Sequence, residues 1–243
     1  MQSLPWGRGR GDGSVIWHAL QRGLAILVVL LLAWQGWYLG WVVWWKFANP
    51  GTTSFMSLRL DDLREKEPKA VLKKQWVPYE RIANPLKRAV IAAEDAKFSG
   101  HEGFDWEGIQ KALEKNQKKG RIVAGGSTIT QQLAKNLFLS GDKTPWRKAQ
   151  EAVITLMLEV VLDKRRILEI YLNVVEWGPG VFGAEAAAWH YYGVSAAQVS
   201  AEQAARLAVL LPNPRRFGRL PDSPYLAARS QIILGRMGAV DLP

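Results

Sequence analysis

Residues 23–45 form an almost wholly apolar run in which Gln35 is the only strongly polar side chain. An α-helix needs about 20 such residues to cross the hydrocarbon core of a bilayer. A cleaved signal peptide is the alternative, but this run is too long and no small-x-small cleavage site follows Trp45. The sequence therefore predicts a single transmembrane helix that is retained as an anchor.

Basic residues on either side of this run indicate its orientation. Arg8, Arg10 and Arg22 precede the run, whereas Lys46 and Arg59 follow it. The cytoplasmic flanks of transmembrane helices are enriched in Lys and Arg. The N-terminus is therefore predicted to lie in the cytoplasm and the bulk of the chain on the other side of the membrane.

The part of the chain that follows the run is predicted to be helical. From Leu86 onward apolar residues recur at helical spacing, and glycines and prolines mark the helix ends. The predicted helices cover residues 57–66, 85–98, 106–118, 128–138, 145–162, 164–175, 181–192, 201–210 and 224–237. The predicted organisation is a cytoplasmic segment (1–22), a transmembrane helix (23–45), a connector (46–78) and a compact, mostly α domain (79–243).

The formal net charge of +10 favours an anionic partner, such as nucleic acid, acidic lipid or a phosphorylated substrate. The predicted membrane anchor argues against nucleic acid. Much of the excess positive charge lies between Lys111 and Lys148, around two of the segments described next. This placement favours contact with a phosphate or with the membrane surface.

Residues 90–105, VIAAEDAKFSGHEGFD, place a carboxylate on the apolar side of a predicted helix. Glu94 follows Val90 and Leu86 at intervals of four residues, so it shares their apolar stripe. Burial raises the pKa of a carboxyl group, as a general base near neutrality requires. An ion pair that only stabilises the helix is an equally good interpretation of Glu94 at this point.

Residues 125–139, GGSTITQQLAKNLFL, combine a glycine pair with a polar helix stripe. Thr128 and Gln131 fit a capping box, and Gln132 and Lys135 continue the same stripe. A helix N-terminus after two glycines, with a lysine two turns later, suits a phosphate group. An ordinary capped amphipathic helix is the alternative, but two consecutive glutamines exceed what a cap requires. We therefore favour the functional interpretation.

Two later helices carry charged pairs. In the first, Arg147 and Lys148 are spaced to reach Glu151, and such surface pairs stabilise a helix by only a few tenths of a kcal/mol. The second helix carries Lys164, Arg166 and Glu169, interpreted as structural, and its inward-facing residues are Ile167, Leu168, Tyr171 and Leu172. The three histidines of the chain are too scattered for a zinc site.

These four segments, in this order, resemble the motifs of the peptidoglycan glycosyltransferases of family 51. EDAKFSGHEG resembles the first motif (Glu-Asp-x-x-Phe-x-x-His-x-Gly), GGSTITQQLAKN the second, RKAQE the third (Arg-Lys-x-x-Glu) and KRRILEIYLN the fourth. The likeness spans residues 78–214, and its second motif is highly specific. A fifth region is looser, with Val194 where the family often has a lysine. Because the chain stops at Pro243, we expect a monofunctional glycosyltransferase without a transpeptidase domain.

The resemblance implies a lysozyme-like helical fold that acts on lipid II, with the growing glycan on undecaprenyl pyrophosphate as the donor. Glu94 matches the catalytic base that takes the proton of the acceptor GlcNAc 4-hydroxyl, with inversion at MurNAc C1. Glu151 matches the second catalytic carboxylate, which positions the donor or is a candidate metal ligand. Lys135 and Arg147 match cations that neutralise the pyrophosphate as its charge develops.

The resemblance also carries over the remaining site residues. Those matched to the cleft and to pyrophosphate binding are Ser127, Thr128, Gln131, Gln132, Asn136 and Lys148. Those matched to support of the cleft are Asp95, Phe98, His101, Gly103 and Glu169. A small membrane-dipping subdomain is expected, and its candidate contacts are Leu137, Phe138, Leu139 and Trp146.

The resemblance further implies a divalent cation, Mg²⁺ or Mn²⁺, and no organic cofactor. The expected partners are lipid II, the growing glycan strand, the bacterial inner membrane and proteins of cell-wall synthesis and division, but not nucleic acid. The catalytic domain is expected in the periplasm. Two rival functions stay open. One is a lytic transglycosylase or lysozyme-type hydrolase, which would not need Lys135 and Arg147 as pyrophosphate partners. The other is an inactive anchor that scaffolds the cell-wall machinery.

Overall fold

A computed structural model describes residues 12–121, 125–142, 144–220 and 223–243. The described chain divides into two compact units, one that ends at Trp41 and one that runs from Val42 to Pro243. Helices dominate both units, which confirms the predicted mostly α fold.

The first helix, α1 (Asp12–Trp44), contains the predicted membrane-spanning run. Within the described ranges, its stretch Ile16–Trp44 of 29 residues is the one helix that is long and apolar enough to cross a membrane. Its side chains are largely exposed, Leu24 by 62%, so it is not a buried core helix of similar composition. The helix begins before Gly23 and ends one residue before Trp45, the predicted limits of the span.

The second unit consists mainly of helices. They are α2 (Ser54–Arg64), α3 (Asn84–Glu94), α4 (Trp106–Lys119), α5 (Ile129–Phe138), α6 (Pro145–Val161), α7 (Lys164–Val174), α8 (Ala184–Tyr192), α9 (Ala201–Ala208), α10 (Pro214–Phe217) and α11 (Pro224–Arg236). Short 3₁₀ turns lie at Tyr79–Arg81, Phe98–Gly100 and Met237–Ala239. Each predicted helix has a counterpart, but the helices predicted over 57–66, 85–98 and 181–192 differ clearly at one end. The first begins early, at Ser54, where the Thr53 side chain caps it.

The helix predicted over residues 85–98 ends early, at Glu94. Asp95 adopts φ −161° and ψ 73°, which is not helical, and a 3₁₀ turn follows at Phe98–Gly100. The Asp95 carboxylate thereby contacts the start of α5, at Ile129, and the His101 side chain.

A small three-stranded sheet is not predicted from the sequence. Its strands are β1 (Lys73–Lys74), β2 (Glu176–Gly178) and β3 (Val181–Phe182), in the order β1-β3-β2, with β1 parallel and β2 antiparallel to β3. The beginning of the helix predicted over 181–192 forms β3 instead, so that part of the prediction is wrong. Gly183, with φ +86°, separates β3 from α8, and a Cβ there would lie 2.7 Å from the carbonyl oxygen of Asn173. This turn therefore requires glycine.

The core that positions the site forms where α3 packs against α9 and where α5 packs against α6 and α7. Buried apolar residues of α3 and α5 include Leu86, Val90, Ile91, Ile129 and Leu133. Full burial of a Leu or Ile side chain stabilises by roughly 1.5–3 kcal/mol, so these helices are held firmly against their neighbours. Polar residues on other faces of α3, α5 and α6 are left to line a cleft.

The side chains expected to contact a membrane lie in two different environments. Leu137 and Leu139 are buried, and the Phe138 ring packs against that of Trp45 with centroids 5.0 Å apart. The expectation for Leu137 and Leu139 is therefore wrong, because the end of α5 packs inward. Trp146 is 64% exposed and begins an exposed apolar row along α6. This row, the α6 stripe, consists of Trp146, Val153, Leu156 and Val160.

Candidate active site

A cleft of about 230 Å³ lies where α3, α5 and α6 approach one another. The side chains that line it are Glu94, Ser127, Gln131, Gln132, Lys135, Glu151, Leu211 and Pro212. All but the last two are residues that the sequence predicts for the site. The fold therefore brings the first three predicted segments to one place.

Glu94, the last residue of α3, presents its carboxylate to this cleft. Gln132 donates a hydrogen bond from Nε2 to Glu94 Oε2 at 2.7 Å. Burial raises the pKa of Glu94 above its ordinary value. The Gln132 hydrogen bond and the cations Lys135 and Arg229 oppose this rise in pKa, and the Asp95 carboxylate adds to it. A carboxylate with a raised pKa that still faces a cleft is suited to accept a proton near neutrality.

The Gln132 amide is held at both ends. The hydroxyl of the fully buried Tyr171 donates to Gln132 Oε1 at 2.9 Å, opposite the end that donates to Glu94. The preceding residue, Gln131, completes the predicted capping box, because its Oε1 accepts from the Thr128 N–H at 3.0 Å. The two consecutive glutamines therefore have different roles, one at the helix N-terminus and one beside the carboxylate.

Asp95 ties the end of α3 to the beginning of α5. Its Oδ2 accepts from the Ile129 backbone N–H at 3.0 Å, and its Oδ1 lies 2.9 Å from Nε2 of His101. Asp95 is only 7% exposed, so water competes little for these contacts. Phe98 is fully buried, and its ring lies edge-on to that of His101 at 6.5 Å between centroids. The structure thus places Asp95, Phe98 and His101 together next to Glu94.

Lys135 brings a positive charge to the cleft. Burial lowers the pKa of Lys135 below its ordinary value, the Glu151 carboxylate opposes this, and the Arg147 guanidinium adds to it. The Lys135 ammonium lies 5.5 Å from the centre of the Phe55 ring in α2, and the Arg59 guanidinium lies 4.5 Å from the same ring. An aromatic ring near two cations attracts both and partly offsets their mutual repulsion.

Glu151 is buried, with only 3% of its surface exposed, unlike a residue in a typical surface ion pair. Arg147 donates from Nη1 to Glu151 Oε2 at 2.7 Å, and the Lys148 ammonium contacts Glu151 Oε1. The side chain of Arg147 is itself only 16% exposed. The Arg147–Glu151 pair therefore lies partly buried at the wall of the cleft, not on a solvated helix surface as its spacing alone suggests, whereas the Lys148 side chain is 49% exposed.

Two predicted cleft residues lie behind the wall of the cleft. Thr128 is buried, and its hydroxyl donates to the carbonyl oxygen of Gly103 at 2.7 Å. Asn136 is also buried, and its side-chain amide donates to the carbonyl oxygen of Gln132 at 2.8 Å. Gly103 has φ +84°, and a Cβ there would lie 2.8 Å from the Thr155 side chain, so the contact between Thr128 and Gly103 also depends on glycine.

Ser127 lies on the wall of the cleft as expected. Arg147 and Lys148 do not line the cleft themselves but contact Glu151, which does.

Glu169 is not among the residues that line the cleft. Its Oε2 accepts from Arg166 Nη1 at 2.8 Å, and its Oε1 accepts from the Tyr79 N–H at 3.2 Å. Arg166 also donates to the carbonyl oxygens of Trp45 and Ala48, at 3.0 and 2.7 Å. Arg166 and Glu169 therefore connect α7 to Tyr79, Trp45 and Ala48, outside the residues that line the cleft.

Some residues of the site are not singled out by the sequence. Leu211 and Pro212 line the cleft just after α9, although Pro212 in the sequence marks only the end of a helix. Tyr171 is predicted to pack inward, which it does, but its hydroxyl partner depends on the pairing of α5 with α7. Phe55 lies in the connector, outside the four segments, and carries no signal of a role beside Lys135.

The donor set does not fit a metal ion held by protein alone. In the part of the chain that the structure describes, groups of three or more His, Asp or Glu residues able to hold an ion are absent. Glu151, the candidate ligand, has one oxygen on Arg147 and the other on Lys148. Mg²⁺ is commonly bound by one or two carboxylates together with substrate phosphates, and here the candidate carboxylate is already engaged by cations.

Similarity to known proteins extends over nearly the whole chain. The sequence pattern of a family described as transglycosylase matches residues 62–238. The chain is 65% identical over 217 residues to the biosynthetic peptidoglycan transglycosylase of Dechloromonas aromatica, covering 89% of this chain and 94% of that protein. It is 60% identical over 230 residues to the protein of the same name from Azoarcus sp., covering 95% of this chain and 99% of that protein. It is 61% identical over 216 residues to the Nitrosospira multiformis protein of that name, covering 89% of this chain and 94% of that protein.

Proposed function

Since the chain belongs to the transglycosylase family, we propose that it is a membrane-anchored peptidoglycan glycosyltransferase that polymerises lipid II into β-1,4-linked glycan strands. The family match and the similar proteins confirm two predictions made from the four segments, the family of the chain and its enzyme class. The substrate, the stereochemistry and the residue roles are our proposal. The main support for this proposal is that Glu94, Lys135 and Glu151 line the same cleft.

In the proposed reaction, Glu94 is the general base. It accepts the proton of the 4-hydroxyl of the acceptor GlcNAc while that oxygen attacks C1 of the donor MurNAc. The new C–O bond forms on the face opposite the leaving group, so the configuration at C1 inverts. The bond from C1 to the pyrophosphate oxygen breaks, and undecaprenyl pyrophosphate leaves with the electron pair. The raised pKa of Glu94 and its position in the cleft support this role.

The positive charges of the site suit this leaving group. Lys135 lines the cleft, and Arg147 and Lys148 flank Glu151 at its wall. Negative charge grows on the pyrophosphate as the C1–O bond breaks, and cations already held in place stabilise it without reorganising. We assign to Glu151 the role of holding Arg147 and Lys148 toward the donor, because its carboxylate contacts both.

A membrane location suits a lipid-linked substrate. The helix α1 is long and apolar enough to serve as an anchor, and the α6 stripe exposes apolar side chains. Exposed apolar surface of this kind is typical of a contact site for a membrane or a protein. We propose that the α6 stripe contacts the lipid surface and that the catalytic unit lies in the periplasm of a single-pass inner-membrane protein. Proteins of cell-wall synthesis and division are proposed partners on that side.

The nearest alternative is a helical hydrolase or lytic transglycosylase that cleaves finished glycan. Such an enzyme has no pyrophosphate leaving group and therefore no use for Lys135 and Arg147 as its partners. Incubation of the full chain with labelled lipid II separates the two functions. Polymer formation with release of undecaprenyl pyrophosphate supports the proposal. Anhydro or reducing-end products from finished peptidoglycan, with no polymer from lipid II, would overturn it.

We also propose that polymerisation depends on the divalent cation that the resemblance implies. Because both Glu151 oxygens contact cations, we propose that the ion enters with the substrate pyrophosphate and not in a protein cage. Chelation with EDTA is expected to slow polymerisation, and added Mg²⁺ to restore it. Calorimetry on the protein without substrate is expected to detect no tight binding of Mg²⁺, and tight binding would contradict this proposal.

A further inference from the structure

The buried Tyr171 hydroxyl lies two hydrogen bonds from the Glu94 carboxylate. Tyr171 donates to Gln132 Oε1 at 2.9 Å, and Gln132 Nε2 donates to Glu94 Oε2 at 2.7 Å. We propose that Tyr171 is a positioning residue for the reaction, because it orients the Gln132 amide so that a hydrogen-bond donor stays on the Glu94 carboxylate. This inference rests on the proposed role of Glu94 as general base.

When Glu94 is ionised, only one orientation of the Gln132 amide gives a donor and an acceptor at each of the two hydrogen bonds. A carboxylate can only accept hydrogen bonds, so the NH₂ group of Gln132 has to face Glu94. The amide oxygen of Gln132 then faces Tyr171, whose hydroxyl has to donate to it. A reversed amide would point its oxygen at the carboxylate and bring two acceptors together. Tyr171 therefore favours the arrangement in which Gln132 donates to the ionised base.

The surroundings of Tyr171 indicate that its hydroxyl is present for this contact. The residue is fully buried, and its α7 neighbours Ile167, Leu168 and Leu172 are fully buried and apolar. A hydroxyl in such a place costs free energy unless it is hydrogen-bonded, and phenylalanine has the same shape without that cost. The contact with Gln132 supplies the partner, so packing alone does not account for a tyrosine here.

Burial also keeps the Tyr171 hydroxyl a donor. It raises the pKa of Tyr171 well above its ordinary value, and the charge of Glu94 adds to this. The hydroxyl therefore stays protonated wherever Glu94 titrates. In a region of low dielectric, donation to the oxygen of an amide also polarises it and strengthens the N–H donor at its other end.

Other charges around Glu94 are independent of Tyr171. The charged groups that face Glu94 are Asp95 at the end of its own helix, Lys135 on α5, Glu151 on α6 and Arg229 on α11. On α9, which packs against α3, Glu202 and Arg206 are exposed. A substitution that removes only the Tyr171 hydroxyl changes none of these charges. A change in the pKa of Glu94 in such a variant would therefore come from the hydrogen bonds that connect Tyr171 to Glu94 through Gln132.

Tyr171→Phe tests the proposal through the pH dependence of kcat/KM for lipid II polymerisation by the full chain in detergent. Loss of the donor to Gln132 weakens the hydrogen bond that favours ionised Glu94, so the pKa of the base rises. The base works only when ionised, and the rate is lost as the pH falls through that pKa. We therefore expect the acid limb of the profile to move to higher pH by about 0.5–1 pH unit. At a fixed pH on that limb, this is roughly a 3- to 10-fold lower rate.

Two further variants separate this role from a structural one. Tyr191→Phe is the matched control, because its hydroxyl donates to the carbonyl oxygen of Trp177 at 3.0 Å, away from the residues that line the cleft. It is expected to leave the acid limb in place. Gln132→Met is expected to move the limb at least as far as Tyr171→Phe, because it removes the donor to Glu94 itself.

In the Gln132→Met background, Tyr171→Phe is expected to add no further shift, because the residue that connects Tyr171 to Glu94 is gone. An unchanged acid limb in Tyr171→Phe would overturn the inference, as would a full additional shift in the double variant. A wild-type chain that makes no polymer from lipid II would instead contradict the proposed function, and the two failures are thereby distinguishable.

Discussion

The carboxylate of Asp95 accepts a hydrogen bond from the backbone N–H of Ile129 at 3.0 Å, and this contact joins the end of α3 to the beginning of α5. Glu94 is the last residue of α3, and Gln132 lies in the first turns of α5. The contact therefore sets the distance between the proposed base and the amide that donates to it. The other Asp95 oxygen, 2.9 Å from His101 Nε2, holds the turn that follows α3.

Asp95→Ala is expected to lower both stability and activity. The substitution leaves the buried Ile129 N–H without its partner, which costs roughly 1–3 kcal/mol. Denaturant unfolding measures the loss of stability, and the polymerisation assay measures the loss of rate. Asp61→Ala, at an exposed position of α2, is the matched control and is expected to change neither. A wild-type unfolding midpoint for Asp95→Ala would show that the contact does not hold α3 to α5.

The polymerisation rate of the wild-type chain is expected to fall on the acid side at a pH above the ordinary glutamate range. Burial raises the pKa of Glu94, and a base is active only when ionised. Activity is therefore present above the raised pKa and lost as the pH falls through it. The measurement is the pH profile of kcat/KM with lipid II. An acid limb at the ordinary glutamate value of about 4.3 would argue against Glu94 as the base.

On the alkaline side, activity is expected to decline below the ordinary lysine range of about 10.4. Burial lowers the pKa of Lys135, and its charge is lost as the pH rises through that lowered value. Lys135→Arg keeps a charge that does not titrate, so the alkaline limb is expected to move to higher pH. Lys118→Arg, exposed in α4, serves as the control. An alkaline limb that stays in place in Lys135→Arg would exclude Lys135 as its origin.

Arg166→Lys is expected to destabilise the catalytic unit by roughly 1–3 kcal/mol, because an ammonium cannot reproduce the forked contacts of a guanidinium. Arg166 donates to Glu169 and to the carbonyl oxygens of Trp45 and Ala48. Unfolding by denaturant in detergent measures the effect. Arg165→Lys changes the exposed neighbouring residue and is expected to have little effect. Equal stability of the two variants would mean that the contacts of Arg166 do not brace this segment.

The predictions from sequence that the structure confirms depend on local patterns. The spacing of Glu94 from Val90 and Leu86 places it beside their buried stripe, and the capping box of Thr128 and Gln131 forms as the residue types predict. These interactions lie within a few residues of one another along the chain. Local chemistry is therefore enough to predict them.

The features that the sequence does not predict depend on partners far away in the chain. Asp95 leaves the helix where it can reach Ile129, which is distant in sequence. The strand of Lys73–Lys74 is too short for a readable pattern and pairs with Val181–Phe182. Leu137 is buried because α5 packs against α6 and α7, which the composition of its segment does not reveal.

Glu94→Gln is the decisive variant for the proposed mechanism, in which Glu94 takes the proton of the acceptor hydroxyl. This substitution keeps the size of the side chain and removes its ability to act as a base. The measurement is the initial rate of lipid II polymerisation by the full chain, with circular dichroism to establish that the variant is folded. Glu114→Gln, exposed in α4, is the control and is expected to polymerise at the wild-type rate. We predict that Glu94→Gln lowers the rate by at least ~100-fold, and a folded Glu94→Gln protein that polymerises at the wild-type rate would show that Glu94 is not the base.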